Sequence, residues 1–258
     1  MGFVEGKMEE EKVLGGAVLP KVLQPSCTGE RRTCDLAEMV HNERVWHGAL
    51  LFRGIEVFSL SLTAELQIPC FSLKEFPSKV FFFCSNPSPA GGDISIVPSH
   101  IIVEKMEEMV PDFVTRLSET GSIFRVKTRK DEVSVATIAS KTWKCLLQIV
   151  TKSNQKDGST EFIYGPMNPI RDLGGKRVWF NNILGYTDNE RDLEVSFSDG
   201  SPFPVEAVDA YKNILEEKYC INLSWQKGDI LLVDNLSVQY SRRPRKKPPS
   251  VILVSIWK

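Results

Sequence analysis

The chain has 258 residues, of which 42% are hydrophobic and 25% are charged, and its formal net charge is −1. These values are typical of a globular protein with a sizeable core, and they exclude a fibrous, disordered or membrane-spanning chain. The near-neutral charge also excludes a general attraction to nucleic acid or anionic lipid. We therefore expect one domain over residues 1–258, with residues 1–40 as an N-terminal extension packed on or near the core.

The N-terminal residues match neither a secretory signal nor a myristoylation signal. Acidic residues Glu9–Glu11 stand where a secretory signal would have a basic start and an apolar run. Gly6 occupies the position at which a myristoylation signal has Ser or Thr. The six cysteines form no C-x-x-C pair, and most have apolar neighbours. We expect a cytoplasmic protein whose cysteines are mostly structural.

Short apolar runs bounded by turn residues predict strands along much of the chain. The predicted strands are Ala49–Phe52, Lys79–Cys84, Arg177–Phe180, Ile230–Val233 and Val251–Trp257.

Apolar side chains recur at helical spacing in residues 99–110, 112–119 and 204–220, which predicts helices there. Residues 151–160 are rich in polar and turn residues and predict a solvated loop. Several separated strands with few covering helices indicate a mainly β fold with flanking helices (α+β). A β-sandwich or barrel is favoured over an alternating parallel α/β sheet.

Five segments carry a further pattern. They are GALLFRG (48–54), EFPSKVFFFC (75–84), GGDISIVPSH (91–100), RVWFNN (177–182) and WQKGDILLVDNLSVQYSRRP (225–244). In this order they resemble the TauD/TfdA group of iron(II)- and 2-oxoglutarate-dependent oxygenases, and more narrowly the clavaminate synthase-like proteins of plants. The resemblance implies a double-stranded β-helix, or jelly roll, whose mouth holds iron(II) and 2-oxoglutarate.

The resemblance also implies where the iron ligands belong. Family members take an H-x-D/E pair after an early strand and a second histidine on a late strand. The late position is Tyr240 in this chain, and no histidine occurs after His100. The segment expected to carry the early pair, Ile68–Lys74, has neither a histidine nor an acidic residue. The resemblance is thus to a family whose metal site this chain lacks.

The positions that bind 2-oxoglutarate in the family are altered as well. An arginine that opens the last strand grips the far carboxylate in family members, and Pro249–Val251 stand there instead. A threonine often follows the Gly-Gly-acid turn, and here Ile94 follows Asp93. Only the twenty residues Ile55–Lys74 separate the first two motifs, so we expect one segment of the sheet to be missing.

The resemblance places a pocket remnant at Trp179, Asn181, Tyr240, Arg242 and Arg243. For Trp179 and Asn181, an ordinary core strand with a polar turn residue is an equal alternative. We expect no catalytic residue, no metal ligand and no cofactor in this chain. A small organic acid is the expected partner, whereas nucleic acid and membrane are not.

Two other features invite a functional interpretation. His41 and His47 are six residues apart, which on a helix places them about 240° apart around the axis, and they predict no shared metal site. His100 lies at a predicted helix start, where a structural role is favoured. The basic run Arg242–Lys247 is interpreted as a solvated loop and not a nucleic-acid patch, since no aromatic residues interleave.

Three interpretations of function remain open at this point. The chain is a degenerate member of the family, an incomplete version of an active enzyme, or a binding module that reuses the old pocket. A skipped segment would explain the short Ile55–Lys74 stretch but not Tyr240 or Ser250. An open sheet edge left by the lost segment predicts poor solubility.

Overall fold

The computed structural model describes residues 3–14, 16–26, 48–54, 78–128, 149–153, 160–187, 191–216, 219–244 and 250–257. The chain divides into two compact units, and each is considered by itself. The first unit comprises Met1–Pro69, Pro77–Ile101 and Lys218–Lys258, and the second comprises Cys70–Phe76 and Ile102–Glu217. The single domain over residues 1–258 stays a prediction. His41, His47 and the short Ile55–Lys74 stretch lie outside the described residues.

The first unit is built from the beginning and the end of the chain. Its strands are β1 (Phe3–Glu5), β2 (Lys12–Leu14), β3 (Ala17–Leu19), β4 (Lys21–Pro25), β5 (Ala49–Phe52), β6 (Lys79–Asn86), β7 (Ile94–Pro98), β15 (Ile221–Leu223), β16 (Ile230–Asp234), β17 (Val238–Arg242) and β18 (Val251–Trp257). A six-stranded sheet has the order β1-β4-β5-β16-β6-β18, and a three-stranded sheet has the order β15-β7-β17. Strands β4 and β5 pair in parallel, while the other pairs in these sheets are antiparallel.

The core of the first unit lies between its sheets. Buried side chains of the six-stranded sheet, such as Leu51, Val80 and Leu231, form one cluster with Ile96 and Ile221 of the three-stranded sheet. Full burial of each such side chain contributes about 1.5–3 kcal/mol to the free energy of unfolding. Two sheets that share one apolar core are the arrangement expected of a β-sandwich.

The second unit contains the helices and a separate sheet. Its elements are α1 (Ser99–Met109), α2 (Pro111–Thr120), β8 (Ser122–Thr128), β9 (Ile149–Ser153), β10 (Thr160–Met167), β11 (Ile170–Leu173), β12 (Lys176–Trp179), β13 (Tyr186–Thr187), β14 (Arg191–Phe197) and α3 (Val205–Glu216), although α1 begins in the first unit. Five strands form a sheet in the order β13-β14-β8-β10-β9, and β11 pairs with β12. Among the described residues, no helix is long and apolar enough to cross a membrane.

Helix α2 shows why the second unit folds as it does. It starts with Pro111, whose missing N–H costs nothing in the first turn. Phe113, Val114 and Leu117 are buried on one face, as the sequence predicts. The helix stops at Gly121, whose φ of 74° favours glycine and whose N–H donates to the carbonyl oxygen of Leu117 at 2.9 Å.

Most predicted elements are confirmed, and one prediction is wrong in part. Ala49–Phe52 and Val251–Trp257 are strands with the predicted bounds, and the three predicted helices are present. The predicted loop at residues 151–160 instead includes the end of β9 and the start of β10, which pair antiparallel with Thr160 opposite Ser153. The β-branched run that begins at Ile149 favours a strand and outweighs the polar residues after it. Residues 154–159 lie outside the described part of the chain.

Candidate functional site

Tyr240 lies on β17, at the position where the resemblance places the second histidine. Its backbone is opposite Ile96 of β7. Its ring meets the Phe82 ring edge-on, with 5.1 Å between the ring centroids. Partial burial raises the pKa of the Tyr240 phenol above its ordinary value. The phenol therefore keeps its proton at neutral pH, and a neutral phenol is a poor replacement for imidazole as a ligand of ferrous iron.

Arg243 follows β17 and is held by polar side chains of the first unit. Its Nε donates to Ser95 Oγ at 2.6 Å and to Asn222 Oδ1 at 3.2 Å. Its Nη2 donates to Cys220 Sγ at 3.4 Å. The Oγ of the buried Ser95 in turn donates to Asn222 Oδ1 at 2.6 Å. Arg243 thus connects the end of β17 to β7 and β15 by hydrogen bonds, which is a structural role.

Arg242 reaches the place where the resemblance puts the arginine that binds 2-oxoglutarate. Its Nη2 donates to Ser250 Oγ at 2.5 Å, just before β18 begins. The side chain is exposed, so its charge is open to solvent. A guanidinium is therefore present beside Ser250, although it comes from a different strand than in the family.

The Gly-Gly-acid turn packs against the chain after β17. The N–H of Gly92 donates to the carbonyl oxygen of Pro244 at 3.2 Å, and the N–H of Arg243 donates to that of Asp93 at 2.8 Å. Ile94, where family members often have a threonine, is buried in the core cluster. The structure thus brings two of the five motifs together but puts an apolar side chain where a polar one would be needed.

Arg53 and Asp229 join two further motifs through an ion pair. Arg53 Nε lies 3.1 Å from Asp229 Oδ1, and Arg53 Nη2 lies 2.9 Å from Asp229 Oδ2, so the contact is bidentate. Nη2 also donates to the carbonyl oxygen of Ser224 at 2.9 Å. Asp229 is 1% exposed and accepts the N–H of Gln226 at 2.8 Å. The sequence motifs singled out the segments that contain Arg53 and Asp229. Nothing in the sequence showed that these two residues contact each other.

Cys84 of β6 lies beside this pair. The thiol is buried, and burial together with the charge of Asp229 raises its pKa from 9.0 to about 11. A thiol with so high a pKa carries little reactive thiolate at neutral pH. Cys220 is also buried and free. The other cysteines lie outside the described residues, so the interpretation of the cysteines as structural is supported here for Cys84.

Trp179 is fully buried on β12 in the second unit. Its ring packs against Tyr211 of α3 with a centroid distance of 5.3 Å, and its Nε1 donates to the carbonyl oxygen of Asn181 at 2.8 Å. These contacts make Trp179 a core residue that fixes the turn after it. They agree with the alternative of an ordinary core strand.

Asn181 stands in that turn with a polar atom that needs a partner. Its Oδ1 is buried and accepts no hydrogen bond within the described part of the chain. The next residue differs, because Asn182 Oδ1 accepts the N–H of Leu184 at 2.9 Å. A buried acceptor without a donor costs about 1–3 kcal/mol, so a ligand that donates a hydrogen bond to Asn181 would be favourable. The Oγ of Ser196 in the same unit is also buried without a partner in the described part of the chain.

The five residues of the predicted pocket remnant belong to two different units, and the shared pocket stays a prediction. Tyr240, Arg242 and Arg243 follow one another on and after β17 in the first unit, whereas Trp179 and Asn181 belong to the second. Within the ranges the structure describes, no three His, Cys, Asp or Glu side chains are grouped so that they could hold a metal ion. The donor set at Tyr240, with a protonated phenol in place of imidazole, does not fit the iron(II) that the family binds.

Known proteins resemble this chain in sequence and in fold. Residues 71–257 match the family described as taurine catabolism dioxygenase TauD, TfdA family. A clavaminate synthase-like protein from Arabidopsis thaliana is 33% identical over 208 residues, which are 72% of this chain and 62% of that protein. The chain thus spans less than two thirds of that relative's length.

Two solved structures align with this chain at low sequence identity. AAD-2, crystallised in complex with Mn(II) and N-oxalylglycine, has a TM-score of 0.55 and 10% identity, and the alignment covers 99% of this chain and 97% of AAD-2. The PvcB protein from Pseudomonas aeruginosa has a TM-score of 0.49 and 11% identity, with 92% and 85% covered. The AAD-2 alignment and the family match confirm the predicted mainly β double-stranded β-helix. The chain belongs to the TauD/TfdA family of 2-oxoglutarate-dependent dioxygenases.

Proposed function

We propose that this chain is a catalytically degenerate member of its family, which does not turn over 2-oxoglutarate with iron(II). The observation that carries the proposal is Tyr240 on β17. Its ring packs on Phe82 and its pKa is raised by burial, so it offers a neutral phenol where the family offers imidazole. Since no histidine follows His100 in the sequence, no other late histidine can take its place.

The cofactor positions support the same proposal independently. Ile94 is buried in the core and presents no hydroxyl, and Ser250 is hydrogen-bonded to Arg242. Tyr240 and Ser250 are far in sequence from the short Ile55–Lys74 stretch. Restoring a lost segment there would therefore still leave Tyr240 where the family has its second histidine and Ser250 where it has the arginine that binds 2-oxoglutarate. This argues against a merely incomplete enzyme.

The proposal predicts no succinate release from 2-oxoglutarate by the purified chain supplied with iron(II), ascorbate and oxygen. The Tyr240→His variant is expected to stay inactive, because one restored imidazole does not provide the H-x-D/E pair. Anaerobic titration with iron(II) and chromatographic measurement of succinate test both statements.

An active 2-oxoglutarate-dependent dioxygenase assayed in parallel shows that the reagents are competent. Stoichiometric iron(II) binding together with succinate release above the level without protein would overturn the proposal. Activity that appears only in Tyr240→His would mean that a single substitution caused the loss and that the early ligands are present elsewhere.

A second candidate function is binding of a small organic acid without catalysis, and Asn181 favours it. Its unpaired buried Oδ1 would accept a hydrogen bond from a hydroxyl, amide or protonated carboxyl group of a ligand. We expect hydroxy acids in a thermal-shift panel to raise the melting temperature of the wild type but not of Asn181→Leu. Asn182→Ala is the matched control and should keep the shift, because Asn182 bonds to Leu184. No shift with any acid would count against this function.

A further inference from the structure

A cavity of about 490 Å³ lies among three loops of the first unit. The loops connect β1 to β2, follow β5, and connect β15 to β16. Tyr240 is not among the residues that line this cavity. Its volume is within the range of roughly 300–1,000 Å³ that small-molecule sites occupy, so it has room for a small organic molecule. The lining includes Lys7, Met8, Glu9, Glu10, Arg53 and Trp225.

Part of the lining is apolar. Met8 and Trp225 are partly buried and pack against the core cluster of the first unit. The centroid of the Trp225 ring lies 6.5 Å from that of the Phe82 ring, so the core fixes the position of the indole. Within the described ranges, the indole Nε1 donates no hydrogen bond. A ligand with an apolar body and a hydrogen-bond acceptor would use both the indole ring and its N–H.

Arg53 gives the cavity a guanidinium that is already fixed. Its Nε and Nη2 donate to Asp229 and to the carbonyl oxygen of Ser224. Among the residues that the structure describes, none accepts a hydrogen bond from Nη1. A ligand oxygen that accepts from Nη1 would therefore cost little side-chain entropy. Because Asp229 compensates the charge, Arg53 positions an oxygen atom more than it attracts an anion.

The rim of the cavity carries charges of both signs. Lys7 is positive, Glu9 and Glu10 are negative, and all three residues are exposed. In the described part of the chain, none of the three forms an ion pair or a side-chain hydrogen bond. The two glutamates would repel a dicarboxylate, whereas Lys7 and Arg53 would repel a simple amine. A molecule that has both a carboxylate and an ammonium group can pair with both signs.

We propose that this cavity binds a free amino acid with an apolar side chain. Its carboxylate accepts hydrogen bonds from Arg53 Nη1 and Trp225 Nε1. Its ammonium group faces Glu9 and Glu10, and its side chain packs on Met8. Water and salt screen the exposed rim, so binding is weak, with a Kd on the order of 1 mM. The proposal does not depend on whether the chain is active as a dioxygenase.

Titration of the ¹⁵N-labelled protein with L-phenylalanine, followed by NMR of the indole N–H groups, tests this site. The Trp225 resonance is identified as the one absent from the spectrum of Trp225→Phe, and the other indole resonances report whether that variant is folded. We expect the Trp225 resonance of the wild type to shift until it saturates. N-acetyl-L-phenylalanine lacks the ammonium group and L-phenylalaninamide lacks the carboxylate, so each should bind about tenfold more weakly.

Variants of the rim test the role of the two glutamates. The double variant Glu9→Gln/Glu10→Gln should bind L-phenylalanine about tenfold more weakly and should discriminate less against the N-acetyl form. Glu5→Gln is the matched control and should bind like the wild type, because Glu5 is exposed, pairs with Lys21 and does not line the cavity.

Four results would each contradict the proposed amino-acid site. They are a Trp225 resonance that shows no saturable shift, equal affinity for the N-acetyl or amide form, unchanged affinity in Glu9→Gln/Glu10→Gln, and equal weakening by Glu5→Gln.

Discussion

Replacing Asp229 with alanine is expected to lower the free energy of unfolding of the first unit by about 3–5 kcal/mol. The carboxylate is 1% exposed and holds Arg53 by two hydrogen bonds at 3.1 and 2.9 Å. Its removal would leave the guanidinium without its counter-charge and the N–H of Gln226 without an acceptor. Urea unfolding followed by circular dichroism measures the loss.

Glu5→Ala is the matched control in the same unit. Glu5 of β1 pairs with Lys21 of β4 at 3.4 Å, but its side chain is 62% exposed. An exposed pair of this kind is worth about 0–1 kcal/mol, since water and salt screen it. Equal losses in the two variants would show that burial of the Arg53–Asp229 pair is not what makes it important.

The pair also gives two family motifs a purpose that needs no iron. Arg53 is the penultimate residue of GALLFRG and Asp229 lies in KGD, and their contact connects the end of β5 to the start of β16. Strands β5 and β16 are neighbours in the six-stranded sheet. The two motifs therefore have a role in folding that does not depend on whether the chain binds a cofactor.

Local sequence patterns predicted most helices and strands, because these elements depend mainly on residues that are close in the sequence. Val251–Trp257 is a continuous apolar run, and Phe113, Val114 and Leu117 repeat at helical spacing; each is enough to specify its element. The resemblance, and not the periodicity, assigned Tyr240 to the position of the second histidine, because periodicity says nothing about residues that are far apart in the sequence. The resemblance did not show that Trp179 packs on Tyr211 in the core of the second unit, and the pocket remnant as a whole stays a prediction.

Long-range contacts could not be predicted from the sequence. Arg53 and Asp229 are 176 positions apart, and no pattern around either residue names the other. Val254 of β18 is 56% exposed, and its exposure likewise depends on which strand is next to β18. An apolar run has the same sequence pattern whether its strand is in the middle of a sheet or at its edge. In the sequence, Asn181 is only a polar residue at a turn. Its unpaired Oδ1 follows from how the side chains pack and could not be predicted.

Replacing Phe197 with alanine is expected to lower the free energy of unfolding of the second unit by about 3–5 kcal/mol. Its ring is 1% exposed and lies edge-to-face with Phe203 at 4.8 Å and with Phe113 at 5.7 Å between centroids. The Arg116 guanidinium covers the ring at 3.9 Å from its centroid. Alanine would leave a cavity among these groups and remove a cation–π contact.

Two further variants separate the ring geometry from general apolar burial. Phe197→Leu keeps most of the apolar volume and is expected to cost less than Phe197→Ala, because it loses the edge-to-face and cation–π contacts but leaves a smaller cavity. Val205→Ala changes a residue that is 72% exposed at the start of α3 and should stay within about 0.5 kcal/mol of the wild type. Chemical unfolding of the three variants ranks them directly. If Phe197→Ala were no more destabilising than Val205→Ala, the three phenylalanines would not form the core of the second unit that their contacts indicate.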